Sequence, residues 1–220
     1  MRRYQKILIL LFFLYQQSLY SQQLNVNLPL GIMDGFPEFG TYEYEEEKEL
    51  RNESQPRIEK VKRGLRLSTV YNLSIGAGLL ILPPKVTNWK REDFFKTAGP
   101  NLGKAWTKEP VWDRDAMLTN YVGHPYQGAF YYNSMRSQGA KVWESSLFCV
   151  GQSLMWEFVF EAIKEQPSRQ DLITTPVGGI LFGELIHRST LRMRRGGFRT
   201  WEKILVTVFN PSYVLNNGYR

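Results

Sequence analysis

The sequence predicts an all-α fold, a helical bundle of about four to five helices behind a charged, partly irregular N-terminal arm. Two observations lead to this prediction. Residues 113–211 alternate stretches of helical apolar periodicity with signals that end helices. The links between these stretches are short, and short links favour antiparallel neighbours that pack into a bundle.

Four helical segments are expected in this region. They are 113–138 with a break or kink before Pro125, 142–166, 168–195 and 200–209. Each is followed by residues that end helices, which are Gly139, Pro167, Gly196-Gly197 and Asn210-Pro211. Thr175-Pro176 is a second start signal, so the third segment is either one helix kinked near Pro176 or a turn followed by a helix.

The first 21 residues have the order of a secretory signal peptide. Three basic residues precede an apolar run at 7–15, and a polar stretch with the small residue Ser21 follows. The run is shorter than the roughly 20 apolar residues of a membrane-spanning helix. We therefore expect cleavage after residue 21 and export to the periplasm or the outer membrane. An uncleaved anchor is the alternative.

The rest of the chain divides by composition. We expect a charged arm or linker at 22–63, an apolar helix with a tryptophan-containing loop at 64–112, a helical core domain at 113–211 and a tail at 212–220. The most apolar stretch is 65–82, but Arg66 and Asn72 within it disfavour a transmembrane helix. A buried helix is expected there, with bilayer contact or a strand pair as alternatives.

Charge and cysteine content exclude several functions. Cleavage of the signal peptide lowers the formal net charge from +7 to +4, because it removes three basic residues. That basic footprint is too weak for nucleic-acid binding. Cys149 is the only cysteine, so no internal disulfide forms. It lies among apolar residues, and we expect a small buried side chain rather than a catalytic thiol.

Two glutamates make the 142–166 segment a candidate site. In an α-helix Glu157 and Glu161 would share one face, about 40° apart, among aromatic and aliphatic neighbours. At least one carboxylate should then point inward, where an ionised carboxylate needs a compensating partner. A catalytic acid or base and a structural ion pair, such as one with Lys164, are both open.

His124 is one of only two histidines and lies in a stretch rich in aromatic residues and glycine. Asn120, four residues earlier, would share its helical face and could fix the tautomer of the imidazole. A catalytic group, a metal ligand and a satisfied core histidine are the alternatives, and the core role is the commonest. We predict that His124 pairs with Glu157 or Glu161, with Asp171 nearby.

Ser168 and Asp171 have the spacing of a capping box at the start of the next helix. Asp171 is therefore either a cap or a functional carboxylate that faces His124. Farther along, Glu184 and His187 form one Glu-x-x-His motif, but di-iron bundles need two such motifs and two more glutamates. Zinc-site spacings are absent from the sequence as well, so no metal and no cofactor is expected.

Three glycines lie in the "TPVGGILFGE" stretch of the same segment. Gly178, Gly179 and Gly183 would each cost about 1 kcal/mol relative to alanine in a helix interior. We therefore expect close packing of this helix against another backbone or a ligand. The spacing matches neither of the glycine-rich phosphate-binding motifs.

Four arginines crowd the end of that segment. They are Arg188, Arg192, Arg194 and Arg195. Complementation of the helix dipole is one explanation, and contact with anionic lipid headgroups is the other. A membrane lipid or an envelope protein is therefore the expected partner.

Three stretches in one order resemble a known family. They are "TNYVGHPYQGAFYYNSMRSQG", "WEFVFEAIKEQPSRQDLITTP" and "GGILFGE", within Trp112 to Pro211. The family is catalogued as domain of unknown function 3943, whose members are exported or envelope proteins of Gram-negative bacteria. The resemblance brings no reaction with it. The positions that it marks are His124, Glu157, Glu161, Ser168, Asp171 and Glu184. A looser similarity of helical plan links the chain to VanZ-type membrane proteins.

Two functions from different classes follow from these patterns. If the polar residues form a sealed cluster between helices, the protein is a structural or assembly factor of the envelope. This is the leading hypothesis, because no nucleophile or metal site is identifiable. If the cluster opens into a cleft, the protein is a membrane-associated acid/base enzyme or a binding protein that acts on a lipid or another envelope substrate.

Overall fold

The computed structural model describes residues 55–83, 91–112 and 115–219, with the backbone alone for 91–95. The predicted all-α class is confirmed, because the described residues contain only helices, turns and a single β-bridge. The helices are α1 (Arg57–Ile81), α2 (Arg91–Thr107), α3 (His124–Arg136), α4 (Val142–Met155), α5 (Asp171–Arg195), α6 (Thr200–Phe209) and α7 (Pro211–Asn217). Seven α-helices thus lie in these ranges, where the sequence predicted four to five. The expected signal peptide lies outside the described residues.

Helical structure also extends into segments that composition alone marked as irregular. Helix α1 begins at Arg57, inside the expected arm, and α7 takes up most of the expected tail. These two ends contact each other, because the Arg63 guanidinium donates to the carbonyl oxygens of Leu215 and Asn216 at 3.0 and 3.3 Å. Carbonyl groups at a helix end lack intrahelical partners, so Arg63 satisfies them and fixes α7 against α1.

Helix α3 is the centre of the bundle. All its residues except Tyr126 are buried, and it packs on α1, α4, α5 and α7. It ends at Arg136, and a turn follows to Gly139, the predicted stop, where the backbone adopts a left-handed conformation with φ 73°. A helix enclosed on all sides must carry its polar groups into the interior, and this determines where the candidate site lies.

The pair α3–α5 forms the most extensive contact between helices, and glycine makes it possible. A Cβ atom at Gly128 would lie 2.0 Å from the Thr175 carbonyl oxygen, and one at Gly179 would lie 2.5 Å from the Gly128 Cα. A Cβ at Gly178 would lie 2.7 Å from the Cβ of the Pro125 ring. The expected close packing of the glycine-rich helix is therefore against α3, with its backbone at Gly179 and with a side chain at Gly178.

Two predicted helices contain turns of a different geometry. The break expected before Pro125 is a π-helical turn at Thr119–Gly123, and the predicted 142–166 helix changes to a second π-helical turn at Trp156–Phe160. A 3₁₀ turn, Glu161–Ile163, follows the second. In contrast, α5 runs from Asp171 to Arg195 through Pro176 as one helix. Single π turns inside helices often accompany functional sites.

Candidate functional site: a buried histidine–carboxylate cluster

Three chain segments bring one histidine and two carboxylates together. His124 follows the first π turn, Glu157 lies in the second, and Asp171 is the first residue of α5. Their relative exposures are 4%, 1% and 2%. One nitrogen or oxygen atom from each lies within 4.8 Å of the others. The histidine and one of the two glutamates that the sequence singled out thus meet Asp171 inside the bundle.

Both ring nitrogens of His124 face polar groups. The Nε2 atom lies 3.6 Å from Asp171 Oδ1, and the Nδ1 atom lies 3.1 Å from Thr175 Oγ1. Sequence reasoning missed Thr175, which is 1% exposed and four residues after Asp171. The i, i+4 spacing on a helix that already carried Asp171 was the signal that could have found it.

Ser168 connects the two carboxylates. Its backbone N–H donates to Glu157 Oε2 at 2.9 Å, and its hydroxyl accepts from the backbone N–H of Asp171 at 3.1 Å. The second bond is one half of the predicted capping box, but the Ser168 N–H that would complete the box donates to Glu157, and α5 begins only after Gln170. The segment is held from the other side by Val111, whose N–H donates to the Pro167 carbonyl and whose carbonyl accepts from the Arg169 N–H.

Glu157 and Glu161 have different hydrogen-bond partners. Glu157 lies in the π turn and accepts from the Ser168 N–H, whereas Glu161 begins the 3₁₀ turn that follows. Glu161 accepts from the Trp156 indole at 2.6 Å and joins a second, partly buried group with Asp115 and Glu165. Of the two glutamates, Glu157 is thus the one that groups with His124 and Asp171.

The charge of Asp171 in the buried cluster affects the pKa of Glu161. Removal from water raises the pKa of Glu161 to about 8, and the negative fields of Glu165 and Asp171 act in the same direction. Lys164 and the Trp156 indole lower it in part. Glu161 is consequently a carboxyl group that holds its proton near neutral pH.

The other predicted support residues lie in two places. Asn120 is 2% exposed within the first π turn, next to the cluster in sequence. Glu184 instead pairs with Arg136, with Nε to Oε2 at 2.9 Å and Nη2 to Oε1 at 3.3 Å. Arg188 also donates to Glu184, at 3.0 Å, and the Tyr132 hydroxyl donates to it. Glu184 thus belongs to a separate ionic group between α3 and α5.

The charges around Glu184 decide its protonation. Burial alone would raise the pKa of Glu184, but the hydrogen bonds and the charge of Arg136 outweigh it and lower the pKa to about 2. Sequence reasoning missed Arg136, whose side chain is 2% exposed. A basic residue near a helix end is usually solvated, so nothing local marked it.

Cys149 and the arginines at the end of α5 are the remaining residues that the sequence singled out. Cys149 is fully buried with its thiol directed at the Gly128 carbonyl at 3.3 Å, and burial raises its pKa to about 12. This is the small buried side chain that was predicted. At the end of α5, Arg192 and Arg195 are exposed, whereas Arg194 is partly buried.

Fold and site together define a class: an all-α protein with a buried histidine–carboxylate cluster built from three helical segments. Residues 109–212 match the model of a family described as a domain of unknown function (DUF3943). That range contains the whole cluster, and the match confirms the family resemblance over these residues. No curated protein and no solved structure matches the chain. The family description assigns no activity.

The second histidine gives a pH prediction. His187 is fully buried, and burial with the charges of Arg136 and Arg188 lowers its pKa to about 3. Neither ring nitrogen has a hydrogen-bond partner among the described residues. The native state therefore stays neutral at this position, while the unfolded chain gains a proton below pH 6.5. Stability should fall as pH drops from 6.5 towards 3, by about 2 kcal/mol at pH 5.

Replacing His187 by leucine should remove that part of the pH dependence. Urea unfolding at pH 8 and pH 5 measures it, with the wild-type chain as the reference for all other titrating groups. The loss of stability between the two pH values should be about 2 kcal/mol smaller in His187→Leu. An equal loss in both proteins would show that His187 is not the group that titrates.

Proposed function

We propose that this protein is a membrane-associated component of the bacterial cell envelope with a structural or assembly role. The proposal rests on one observation. Many large polar side chains are buried in the interior, whereas many large apolar side chains are exposed at the surface. In a protein surrounded by water, large apolar side chains collect inside. In a helical protein that contacts lipid, small and polar residues make the helix contacts and apolar side chains face outward.

The outward side of α5 is a continuous apolar stripe. Ile173, Val177, Leu181 and Leu185 recur every four residues and are 58%, 52%, 68% and 61% exposed. Twelve residues at 1.5 Å per residue give the stripe a length of about 18 Å. Helix α6 adds a second apolar face, whose exposed side chains are Trp201, Ile204, Leu205, Val208 and Phe209.

The interior shows the opposite composition. The largest fully buried side chains include only two aliphatic ones, Leu191 and Val206. The others are Arg136, Tyr131, Tyr132, Tyr213, His187, Glu157, Asn72, Asn120, Asn133 and Asn210. Glycine makes the closest helix contact, between α3 and α5. Among the described residues, three small apolar clusters, around Leu191, Phe130 and Met135, lie beside these polar groups.

Charge at the end of α5 favours a bilayer as the occupant of the apolar surface. The stripe ends at Leu185. The exposed residues Arg192 and Arg195 follow in the last turn of the same helix. Basic residues beside an apolar helix face attract anionic headgroups, at about 1 kcal/mol for each residue near the surface. Among the described helical stretches, Val142–Ile163 is also long and apolar enough to cross a membrane by composition, with 44% of its window buried in the fold.

The burial of the polar cluster favours a structural role over an acid/base enzyme. His124, Glu157 and Asp171 are each at most 4% exposed, so a substrate would reach them only after the helices move. An envelope location rests on the signal-peptide pattern of residues 1–21 and on the resemblance to an envelope family.

Flotation with lipid vesicles tests the proposal. The full chain, purified in mild detergent and mixed with phosphatidylethanolamine–phosphatidylglycerol vesicles, should float with the lipid. The double variant Leu181→Lys/Leu185→Lys should bind at least ten-fold more weakly, because a lysine in the hydrocarbon costs up to about 3 kcal/mol. Both positions are exposed, so circular dichroism should show an unchanged fold.

Two control variants make the outcome specific. Thr69→Lys adds one lysine at an exposed polar position of α1 and should lower binding much less than the single variant Leu181→Lys does. Arg192→Gln should weaken binding to phosphatidylglycerol vesicles about five-fold, with no change for neutral phosphatidylcholine vesicles. A wild-type chain that does not float, and instead forms a dimer that Leu181→Lys/Leu185→Lys disrupts, would assign the stripe to a second copy of the chain.

A further inference from the structure

We propose that His124, Glu157 and Asp171 bind a divalent transition-metal ion such as Zn²⁺ or Mn²⁺. The argument begins with distance. His124 Nε2 and Asp171 Oδ1 lie 3.6 Å apart, which is too long for a good hydrogen bond. Two ligands that each lie about 2.1 Å from one ion would be 3.6 Å apart at an angle of about 120°, close to tetrahedral coordination.

The third ligand comes within reach of the same point. The donor atoms of the three residues all lie within 4.8 Å of one another. In tetrahedral coordination with bonds of about 2.1 Å, two ligands lie about 3.4 Å apart. A pair at that upper limit would therefore close by about 1.4 Å when the ion binds. Because the residues come from three segments, binding an ion would join both π turns to the start of α5.

Neighbouring groups orient the ligands as metal sites require. A metal-binding histidine uses one ring nitrogen for the ion and the other for a hydrogen bond that fixes its tautomer. In His124, Nδ1 faces the Thr175 hydroxyl at 3.1 Å, so Nε2 is directed at Asp171. Glu157 Oε2 accepts from the Ser168 N–H at 2.9 Å, which holds that carboxylate in position.

A divalent cation would compensate the negative charges of the two buried carboxylates. Glu157 and Asp171 are 1% and 2% exposed, and an ionised carboxylate away from water costs several kcal/mol unless opposite charge compensates it. A divalent cation offsets both charges at once. The metal-site expectation from sequence considered only local spacings, and these three ligands lie 33 and 14 residues apart along the chain.

The ligand types indicate the class of ion. Imidazole suits zinc, copper, iron or nickel, and carboxylates also suit manganese, whereas magnesium and calcium prefer oxygen ligands alone. The neighbouring group of Asp115, Glu161 and Glu165 has no imidazole and is only partly buried, so it is the natural control for non-specific binding by carboxylates.

Metal binding to the untagged full chain tests the proposal without any activity assay. The protein is stripped with a chelator, dialysed against Zn²⁺ and analysed by mass spectrometry of its metal content. We expect about one ion per chain. His124→Gln and Asp171→Asn should each lower the affinity at least ten-fold, and Thr175→Val should lower it 10- to 100-fold through the orientation of His124. Glu161→Gln should bind as the wild type does.

A second measurement covers variants that fail to fold. Co²⁺ added to the stripped wild-type chain should give the visible absorption of a tetrahedral or five-coordinate site, and Zn²⁺ should displace it. An absence of binding at 100-fold excess Zn²⁺ over protein would overturn the proposal. So would an equal loss of binding in Glu161→Gln, because the ion would then lie at the carboxylate group instead.

Discussion

Replacing Gly128 by alanine is expected to destabilise the protein by about 3 kcal/mol or more. The new Cβ would lie 2.0 Å from the Thr175 carbonyl oxygen and 2.8 Å from the Gly179 Cα. Both are backbone atoms, so no side chain can rotate to relieve the overlap. Helices α3 and α5 would have to separate, and the free energy of unfolding in urea measures the cost.

The same substitution elsewhere gives the control. Gly151 lies in α4 with nothing within 4 Å of a built Cβ, so Gly151→Ala should leave stability unchanged or raise it by up to about 1 kcal/mol. A small effect of Gly128→Ala, equal to that of Gly151→Ala, would contradict the close approach of α3 and α5. Since Thr175 faces His124 from this crossing, any separation of the helices should also weaken metal binding.

The residues of the candidate cluster could be predicted because they are polar residues within apolar helical segments. His124, Glu157 and Asp171 lie in predicted helices with apolar neighbours, and a charge in such a place needs a partner. The sequence did not decide between Glu157 and Glu161, because an α-helix places both on one face. Their different partners, the Ser168 N–H for Glu157 and the Trp156 indole for Glu161, depend on how the segments pack, which local periodicity does not contain.

Other errors have a similar physical origin. Thr175 and Arg136 were missed, because a hydroxyl and a helix-end arginine are ordinary surface residues in most proteins. The beginning of α1 at Arg57 was missed as well, since charged residues there resembled a linker. In each case a contact from a distant segment decides the structure: Thr175 meets His124, Arg136 meets Glu184, and Arg63 of α1 meets Leu215.

The buried ion pair between Arg136 and Glu184 has the second large expected effect. Glu184→Gln should destabilise the protein at pH 7 by about 3 kcal/mol, because it leaves the guanidinium of Arg136 buried without this carboxylate. The Glu59–Lys62 pair on the surface of α1 is the control. Glu59→Gln should leave stability nearly unchanged, since exposed pairs contribute little.

The pH dependence distinguishes loss of the ion pair from a simple packing defect. The pKa of Glu184 is about 2 in the folded protein, below its ordinary value of 4.5. The stability that this carboxylate contributes is therefore complete above pH 4.5 and lost as pH falls from 4.5 towards 2. Urea unfolding of wild type and Glu184→Gln should give curves that converge over this interval. A gap that stays constant with pH would mean that the glutamine disturbs packing, and that the charge of Glu184 does not stabilise α3 against α5.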